Sequence, residues 1–190
     1  MKIILASGSP RRFELLNMMG FSDCRTIVSS AEEAIDESLL PEDTVCSIAL
    51  KKAKTVSQFC EKDDIIVAAD TLVYLDGSPM EKPIDEKDAA KMLRKLSGRR
   101  HTVFTGVVVL KGSRIKTAAE KTEVFFREIS DEEISAYIET GEPMDKAGAY
   151  GAQGKGAVFI TRIEGDFFNV MGLPICRLTL MLKEFGIGVL

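Results

Sequence analysis

The stretch "IIVAADTLVYLDG", residues 65–77, contains two apolar runs separated by an aspartate and followed by an Asp-Gly pair. The first run predicts a buried strand that ends at Asp70, and Asp76-Gly77 predicts a tight turn after the second run. A carboxylate that closes a buried strand is costly unless it is paired, hydrogen-bonded or bound to a metal. Strand ends in α/β proteins are also where ligands gather, so Asp70 is either a turn residue or a functional one.

The chain on either side of this stretch mixes predicted strands with amphipathic helices. Further strand-like runs cover residues 2–6, 26–30, 101–110 and 121–129. Helix starts, each marked by a capping residue or a proline, lie at Ser9-Pro10, Pro41, Asp85, Ser130 and Pro174. Because strand pairs joined by short turns cannot all be parallel, we predict an α/β fold with a mixed sheet and flanking helices.

Length, charge and cysteine usage exclude several classes of protein. A chain of 190 residues without a Pro/Gly/Ser-rich boundary predicts a single domain over residues 1–190. The net charge of −4 argues against a general binder of nucleic acid or of anionic membranes. Four scattered cysteines and one histidine indicate neither a zinc site nor a disulfide scaffold, and no apolar run has the length of a signal peptide or a membrane span. We therefore expect a cytoplasmic protein with no nucleic-acid or membrane partner.

The stretch "LASGSPRRFELL", residues 5–16, places Arg11 and Arg12 in the predicted first turn of a helix. An exposed cation at this end of a helix is disfavoured by about 0.3–1 kcal/mol. Two solvated surface arginines would explain the pair, but a Ser-Gly-Ser turn precedes it. Backbone amides, hydroxyls and two guanidinium groups then converge, and this combination is typical of a phosphate site with Ser7 as a further donor.

A lysine interrupts the apolar face of the helix that begins at Pro41. Positions 45, 48, 52, 56 and 59 share that face, and only position 52 is charged. The Lys52 ammonium either reaches water along its stem or faces inward as a phosphate partner. The acids between this helix and the second strand are Glu32, Glu33, Asp36 and Glu37. One of them could hold Mg²⁺ together with Asp70, but composition does not choose among them.

Two later segments carry weaker signals. "MEKPID" places Lys82 before a proline. "DKAGAYGAQGKG", residues 145–156, is neither a Walker A loop nor a dinucleotide fingerprint, but its glycines suit a close approach of backbone to a ligand. Gln153 in this loop is either an ordinary polar residue or an amide that pairs with a base edge. His101 lacks a partner motif, so a nucleophilic triad has little support.

Eight motifs, in order along nearly the whole chain, resemble the Maf family. They are "LASGSPRRFELL" (5–16), "AEE" (31–33), "KKAK" (51–54), "AADT" (68–71), "EKP" (81–83), "LSGRRH" (96–101), "DKAGAYGAQG" (145–154) and "GLP" (172–174). The resemblance implies a nucleoside triphosphate pyrophosphatase with a house-cleaning role and a link to septum formation. It also implies a two-lobed fold around a cleft, like that of inosine triphosphate pyrophosphatases, a homodimer, and Mg²⁺ or Mn²⁺ as cofactor.

The same resemblance assigns roles to individual residues. Asp70 corresponds to the catalytic proton acceptor, and Glu33 corresponds to a glutamate that holds the metal with it. The residues that correspond to the phosphate-binding set are Ser7, Arg11, Arg12, Lys52 and Lys82. Those that correspond to base choice are Arg12, Thr71 and Gln153. Ala31 and Ala152 replace larger aliphatic residues common in the family, which we expect to alter packing rather than chemistry.

"ADT" together with "YGAQG" resembles the subfamily that hydrolyses dTTP and UTP to the monophosphate and pyrophosphate. The sister group that acts on 7-methyl-GTP tends to have glutamine after the aspartate and glutamate in the glycine-rich loop, and this specificity is one alternative. A non-catalytic nucleotide sensor that regulates cell division, or a phosphatase that releases orthophosphate, are the others. Two carboxylates beside a phosphate site favour catalysis, because a pure anion site would avoid negative charge there.

Overall fold

A computed structural model describes residues 2–36 and 38–189 and shows a mixed α/β fold. Its strands are β1 (Ile3–Leu5), β2 (Arg25–Thr26), β3 (Ile65–Leu75), β4 (Ser78–Met80), β5 (Arg100–Lys111), β6 (Arg114–Phe126) and β7 (Ile160–Glu164). Its α-helices are α1 (Pro10–Met18), α2 (Pro41–Ser57), α3 (Glu86–Leu96), α4 (Asp131–Ile138), α5 (Phe167–Met171) and α6 (Ile175–Glu184). Short 3₁₀ turns cover Glu142–Asp145, Ala147–Ala149 and Lys155–Phe159.

The seven strands form one sheet in the order β2-β1-β3-β5-β6-β7, with β4 paired to β3 outside this path. β1 runs parallel to both β2 and β3, whereas β4 is antiparallel to β3 and β7 is antiparallel to β6. The apolar start of β3 is buried because a parallel pairing of this kind lies inside the sheet. The predicted mixed sheet with flanking helices is therefore confirmed.

The chain divides into two compact units. The first comprises Met1–Asp70, Thr105–Glu120 and Gly172–Leu190, and the second comprises Thr71–Phe104 and Lys121–Met171. A core of the first unit includes Ile4, Ala49, Ala53, Val56, Ile66 and Val108. The core of the second includes Leu93, Leu96, Val103, Val124, Phe126 and Ile134. The single domain over residues 1–190 stays a prediction.

Local sequence signals account for the ends of several helices. Pro41 begins α2, and Glu42 and Asp43 follow in its first turn. Negative side chains at this end of a helix interact favourably with the helix dipole. The Asp85 carboxylate accepts the amide of Asp88 at 2.7 Å and begins α3. The predicted capping box of Ser130 at the start of α4 is present.

The backbone of α2 lies directly on β5. A Cβ atom placed on Gly106 would lie 2.4 Å from the carbonyl carbon of Val45, which is closer than any side chain tolerates. Glycine at position 106 is therefore a packing requirement. This contact fixes the first half of α2, two turns before Lys52.

The predicted strand over 26–30 is wrong beyond Thr26. The Ile27 amide still donates to the Leu5 carbonyl at 3.0 Å, but the Ser29 hydroxyl then accepts the Ala31 amide and turns the chain. Val28 is 70% exposed, so no burial favours further pairing.

Two other expectations need correction. Phe59 lies beyond the end of α2 and is 70% exposed, so it is not part of the apolar face. Ser9 stands at the N-cap position of α1 but makes no side-chain capping bond. The short α5 was not predicted, because its five residues do not span a full apolar period, although the Asp166 carboxylate before it accepts the Phe168 amide at 2.8 Å. Glu37, one of the four acids named above, lies outside the described residues.

Nowhere in the described ranges is there a helix long and apolar enough to cross a membrane.

Candidate active site

The sequence predicted that Asp70 ends a strand, but in the structure Asp70 lies in the middle of one. β3 continues without a break from Ile65 to Leu75, and Asp70 is buried in it. The prediction was wrong because a buried charge was expected to end the strand. A cation from another element neutralises the carboxylate instead, so the strand can continue.

That cation is Lys52 of α2. Its Nζ atom lies 2.6 Å from Oδ1 of Asp70 and 2.9 Å from Oε1 of Glu33. The side chains of Lys52 and Asp70 are 8% and 7% exposed, whereas that of Glu33 is 51% exposed. Of the two interpretations of Lys52, the one in which its ammonium reaches water is therefore wrong. The ammonium is buried between two carboxylates.

The first turn of α1 presents a second cation, Arg12. The hydroxyl of the buried Ser7 accepts the Ser9 amide at 3.2 Å and an Arg12 guanidinium N–H at 3.2 Å. The Arg12 Nε–H donates to the carbonyl of Gly172 at 2.7 Å. The guanidinium is thus oriented by neutral oxygens at the N-terminus of a helix.

Arg12 also interacts with both carboxylates of the Lys52 cluster. Burial lowers the pKa of Arg12 from its ordinary value, while the charges of Asp70 and Glu33 oppose this change and that of Arg11 adds to it. Arg11, in the same turn of α1, is half-buried. Two cations, Lys52 and Arg12, therefore interact with two carboxylates in the first unit, and Arg11 adds positive charge next to Arg12.

The donor set fits a divalent cation. Glu33 and Asp70 already contact one positive group, the Lys52 ammonium, and Mg²⁺ in proteins takes one or two carboxylates plus substrate phosphates and water. Within residues 2–36 and 38–189, no group of three or more His, Cys, Asp or Glu side chains could hold a metal ion. A metal here would depend on these two carboxylates and on oxygens from outside the protein.

The remaining predicted site residues belong to the second unit. Thr71 directly follows Asp70 in β3 and is half-buried. Lys82 is exposed after β4, and Gln153 is exposed in the glycine-rich segment. Their roles stay predictions, as do those of Ser7, Arg11, Arg12, Glu33, Lys52 and Asp70. What the structure shows is that Arg12, Glu33, Lys52 and Asp70 form one cluster of charges, with Arg11 beside Arg12 in α1 and Ser7 bonded to Arg12.

Sequence reasoning missed the part played by Gly172. The motif "GLP" was noticed, but the contact to Arg12 uses the main-chain carbonyl of its glycine. A carbonyl is common to every residue, so no side-chain signal could have identified it.

Comparison with known proteins identifies the family of this chain. Residues 2–185 match the family described as Maf-like protein. A dTTP/UTP pyrophosphatase of Bacillus cereus (strain AH187) is 48% identical over 188 residues, which are 99% of this chain and 97% of that protein. A dTTP/UTP pyrophosphatase of Bacillus anthracis (strain CDC 684 / NRRL 3495) is 47% identical over the same shares of the two chains. Among solved structures, the Ham1 protein of Staphylococcus aureus matches with a TM-score of 0.49 and 15% identity, over 97% of this chain and 99% of that one. The chain belongs to the Maf family.

Proposed function

We propose that this protein is a nucleoside triphosphate pyrophosphatase that hydrolyses dTTP and UTP to the nucleoside monophosphate and pyrophosphate. The observation that carries the proposal is the buried Lys52 ammonium between Asp70 and Glu33, beside Arg12. Relatives that are named dTTP/UTP pyrophosphatase and are 48% identical over nearly the whole chain support the proposed substrate class.

The triphosphate is bound by the turn before α1. Backbone amides at the helix N-terminus, the Ser7 hydroxyl and the guanidinium groups of Arg11 and Arg12 supply donors that match phosphate oxygens. Lys52 and Lys82 complete the proposed set. The Gly172 carbonyl supports binding indirectly, because it fixes the Arg12 guanidinium before any substrate arrives.

Asp70 is the proposed proton acceptor. A water molecule attacks the α-phosphorus and gives its proton to the Asp70 carboxylate, while the bond from that phosphorus to the oxygen bridging to the β-phosphorus breaks. Pyrophosphate leaves with the bonding electron pair. The bond from Lys52 to Oδ1 orients the carboxylate for this step, and Arg11 and Arg12 stabilise the charge that develops on the leaving group.

Glu33 and Asp70 are the residues that would hold Mg²⁺ or Mn²⁺. When bound, such a cation neutralises phosphate oxygens and makes a nearby water more acidic. The match of this donor set to divalent cations supports the cofactor, and the assay below tests it by omission of the metal.

Base choice is assigned to Arg12, Thr71 and Gln153. The threonine after Asp70 and the glutamine in "YGAQG" support a pyrimidine substrate over 7-methyl-GTP. A neutral amide can donate to and accept from a pyrimidine edge, whereas a carboxylate can only accept.

The deciding experiment identifies the products. Purified protein is incubated with dTTP and Mg²⁺, and pyrophosphate is separated from orthophosphate. We expect pyrophosphate and dTMP in equal amounts, with UTP as a second substrate in a panel that includes CTP, dGTP and 7-methyl-GTP. Orthophosphate would indicate a phosphatase, and binding without turnover would indicate a nucleotide sensor. Omission of the metal should abolish turnover.

The matched variants are Asp70→Asn and Asp63→Asn, the second of which changes an exposed aspartate before β3. We expect Asp70→Asn to lower kcat by about 10²–10⁴-fold and to retain dTTP binding, because general-base catalysis is worth that much. Near-normal turnover by Asp70→Asn would show that the base is another group.

The quaternary state and location belong to the same proposal. We infer a cytoplasmic homodimer, on the strength of the family resemblance. Light scattering during gel filtration would reveal twice the mass of the chain. A role in septum formation would be tested by whether the Asp70→Asn variant retains any effect on cell division.

A further inference from the structure

The segment that carries Gln153 is rich in glycine, and its one large buried side chain, Tyr150, bonds to His101 on the N-terminal side of Gln153. The glycine-rich loop, residues 147–156, contains Gly148, Gly151, Gly154 and Gly156, and Gln153 is exposed at its centre. An exposed side chain on a mobile backbone discriminates poorly, because binding must first order the chain that carries it. What holds this loop therefore bears on what Gln153 can select.

Two side chains outside the loop bind its backbone. Glu142 accepts the Lys155 amide on Oε2 at 2.9 Å and the Gly156 amide on Oε1 at 3.1 Å. The Tyr137 hydroxyl accepts the Gly151 amide at 3.0 Å and donates to Oε1 of Glu142 at 2.8 Å. These bonds hold the backbone at Gly151, two residues before Gln153, and at Lys155 and Gly156, two and three residues after it.

The glycines of the loop match this arrangement. A Cβ atom on Gly154 would lie 2.7 Å from both carboxylate oxygens of Glu142. One on Gly156 would lie 2.6 Å from the Tyr137 hydroxyl, and one on Gly151 would lie 2.9 Å from Oε1 of Glu142. The close approach that these glycines allow is therefore to Glu142 and Tyr137, within the same unit.

The protonation states agree with the geometry. Burial raises the pKa of Tyr137 above its ordinary range, so its hydroxyl keeps the proton that it donates to Glu142. Burial opposes ionisation of Glu142. The hydrogen bonds from the Lys155 and Gly156 amides and the Tyr137 hydroxyl, together with the Lys146 charge, outweigh this effect, and the pKa of Glu142 lies below its usual value. Glu142 is thus a carboxylate at neutral pH and bonds strongly to the amides.

We propose that Glu142 and Tyr137 are positioning residues for base selection, which fix the backbone on both sides of Gln153 before the nucleotide binds. This inference rests on the proposed function, because it presupposes a nucleoside triphosphate whose base meets Gln153. Neither residue touches the substrate. They act by lowering the conformational freedom that the loop would otherwise lose on binding.

The test compares Glu142→Gln and Tyr137→Phe with Glu139→Gln. Glu142→Gln replaces the carboxylate that accepts two amides by a side-chain amide, whose oxygen accepts but whose nitrogen donates. Tyr137→Phe keeps the ring against Phe159 and removes the hydroxyl. Glu139 is an exposed glutamate in the same region, so its variant loses the same charge without a bond to the loop. Each variant is assayed on the nucleotide panel, and backbone amide exchange is followed over residues 147–156.

We expect Glu142→Gln to raise KM for the preferred nucleotide about tenfold and to leave kcat within about twofold, because an interaction made equally in ground and transition states is lost. Selectivity, measured as the ratio of kcat/KM between the preferred and next nucleotide, should fall by about the same factor. Tyr137→Phe should change both in the same direction by less, and Glu139→Gln should change neither. The Gly151, Lys155 and Gly156 amides should exchange faster in Glu142→Gln.

Unchanged KM and selectivity in Glu142→Gln, with faster amide exchange, would overturn the proposal and leave a purely structural role. Slow amide exchange in both variants would overturn the hydrogen bonding itself. If Glu142→Gln fails to fold, Tyr137→Phe decides by the same readouts. A wild-type protein that prefers another nucleotide would contradict the dTTP assignment alone, since selectivity is measured against whichever nucleotide is preferred.

Discussion

Removal of the Lys52 ammonium tests whether the buried charges act as a unit. Lys52→Met leaves the Asp70 carboxylate, whose side chain is 7% exposed, without its partner at 2.6 Å. Breaking a buried ion pair from one side costs about 3–5 kcal/mol. The attraction of Arg12 for Asp70 persists, so we expect the lower end of this range, about 3 kcal/mol. The contact with Glu33 adds less than about 1 kcal/mol, because that side chain is 51% exposed.

The double variant Lys52→Met/Asp70→Asn removes both charges. Its destabilisation should be smaller than the sum of the two single effects, by a coupling free energy of about 1–3 kcal/mol. The sequence contains no tryptophan, so urea unfolding is best followed by far-UV circular dichroism. Single effects that add to within about 0.5 kcal/mol, the ordinary result for independent sites, would refute the reasoning. So would a cost below about 1 kcal/mol for Lys52→Met, the value of an exposed pair.

Three further predictions concern other parts of the molecule. Arg12→Lys should raise KM for dTTP by about tenfold or more in steady-state kinetics. The planar guanidinium can bond to Ser7, Gly172 and a phosphate at the same time, whereas an ammonium cannot. Equal KM values for the two proteins would contradict this. Gly106→Ala should lower the free energy of unfolding by about 1–3 kcal/mol, because its Cβ would lie 2.4 Å from the Val45 carbonyl carbon; an unchanged urea midpoint would show that α2 moves freely. Burial lowers the pKa of His101 from 6.5 to about 4, so between these values the unfolded chain binds a proton that the folded chain does not. Stability should therefore fall by about 2 kcal/mol from pH 7 to pH 5, and the His101→Gln variant should lose most of that slope.

Local signals predicted the parts of the fold that depend on neighbouring residues. Pro41, Asp85 and the Ser130 capping box begin helices wherever they occur, because their effect requires only the next turn of chain. One failure depends on a distant residue. Asp70 was expected to end a strand, and it does not because Lys52, eighteen residues earlier, neutralises it.

The candidate site shows the same division between local and distant information. Arg12 followed from a helix start and a serine-rich turn. Lys52 could be placed on an apolar face, but whether its ammonium was buried depended on β3. Composition could not choose Glu33 from its acidic neighbours; only the family resemblance did so, and the structure places that carboxylate 2.9 Å from the Lys52 Nζ atom. The Gly172 carbonyl could not be predicted at all.

The bond between Arg12 and Gly172 has a consequence for synthesis of the protein. Its two partners are separated by 160 positions, and the unit that contains them draws on both terminal regions of the chain. A ribosome that has translated the whole of β6 has made Arg12, Lys52 and Asp70, yet the carbonyl that orients the guanidinium has not been polymerised. The Arg12 guanidinium therefore acquires this hydrogen bond only after Gly172 has been added to the nascent chain.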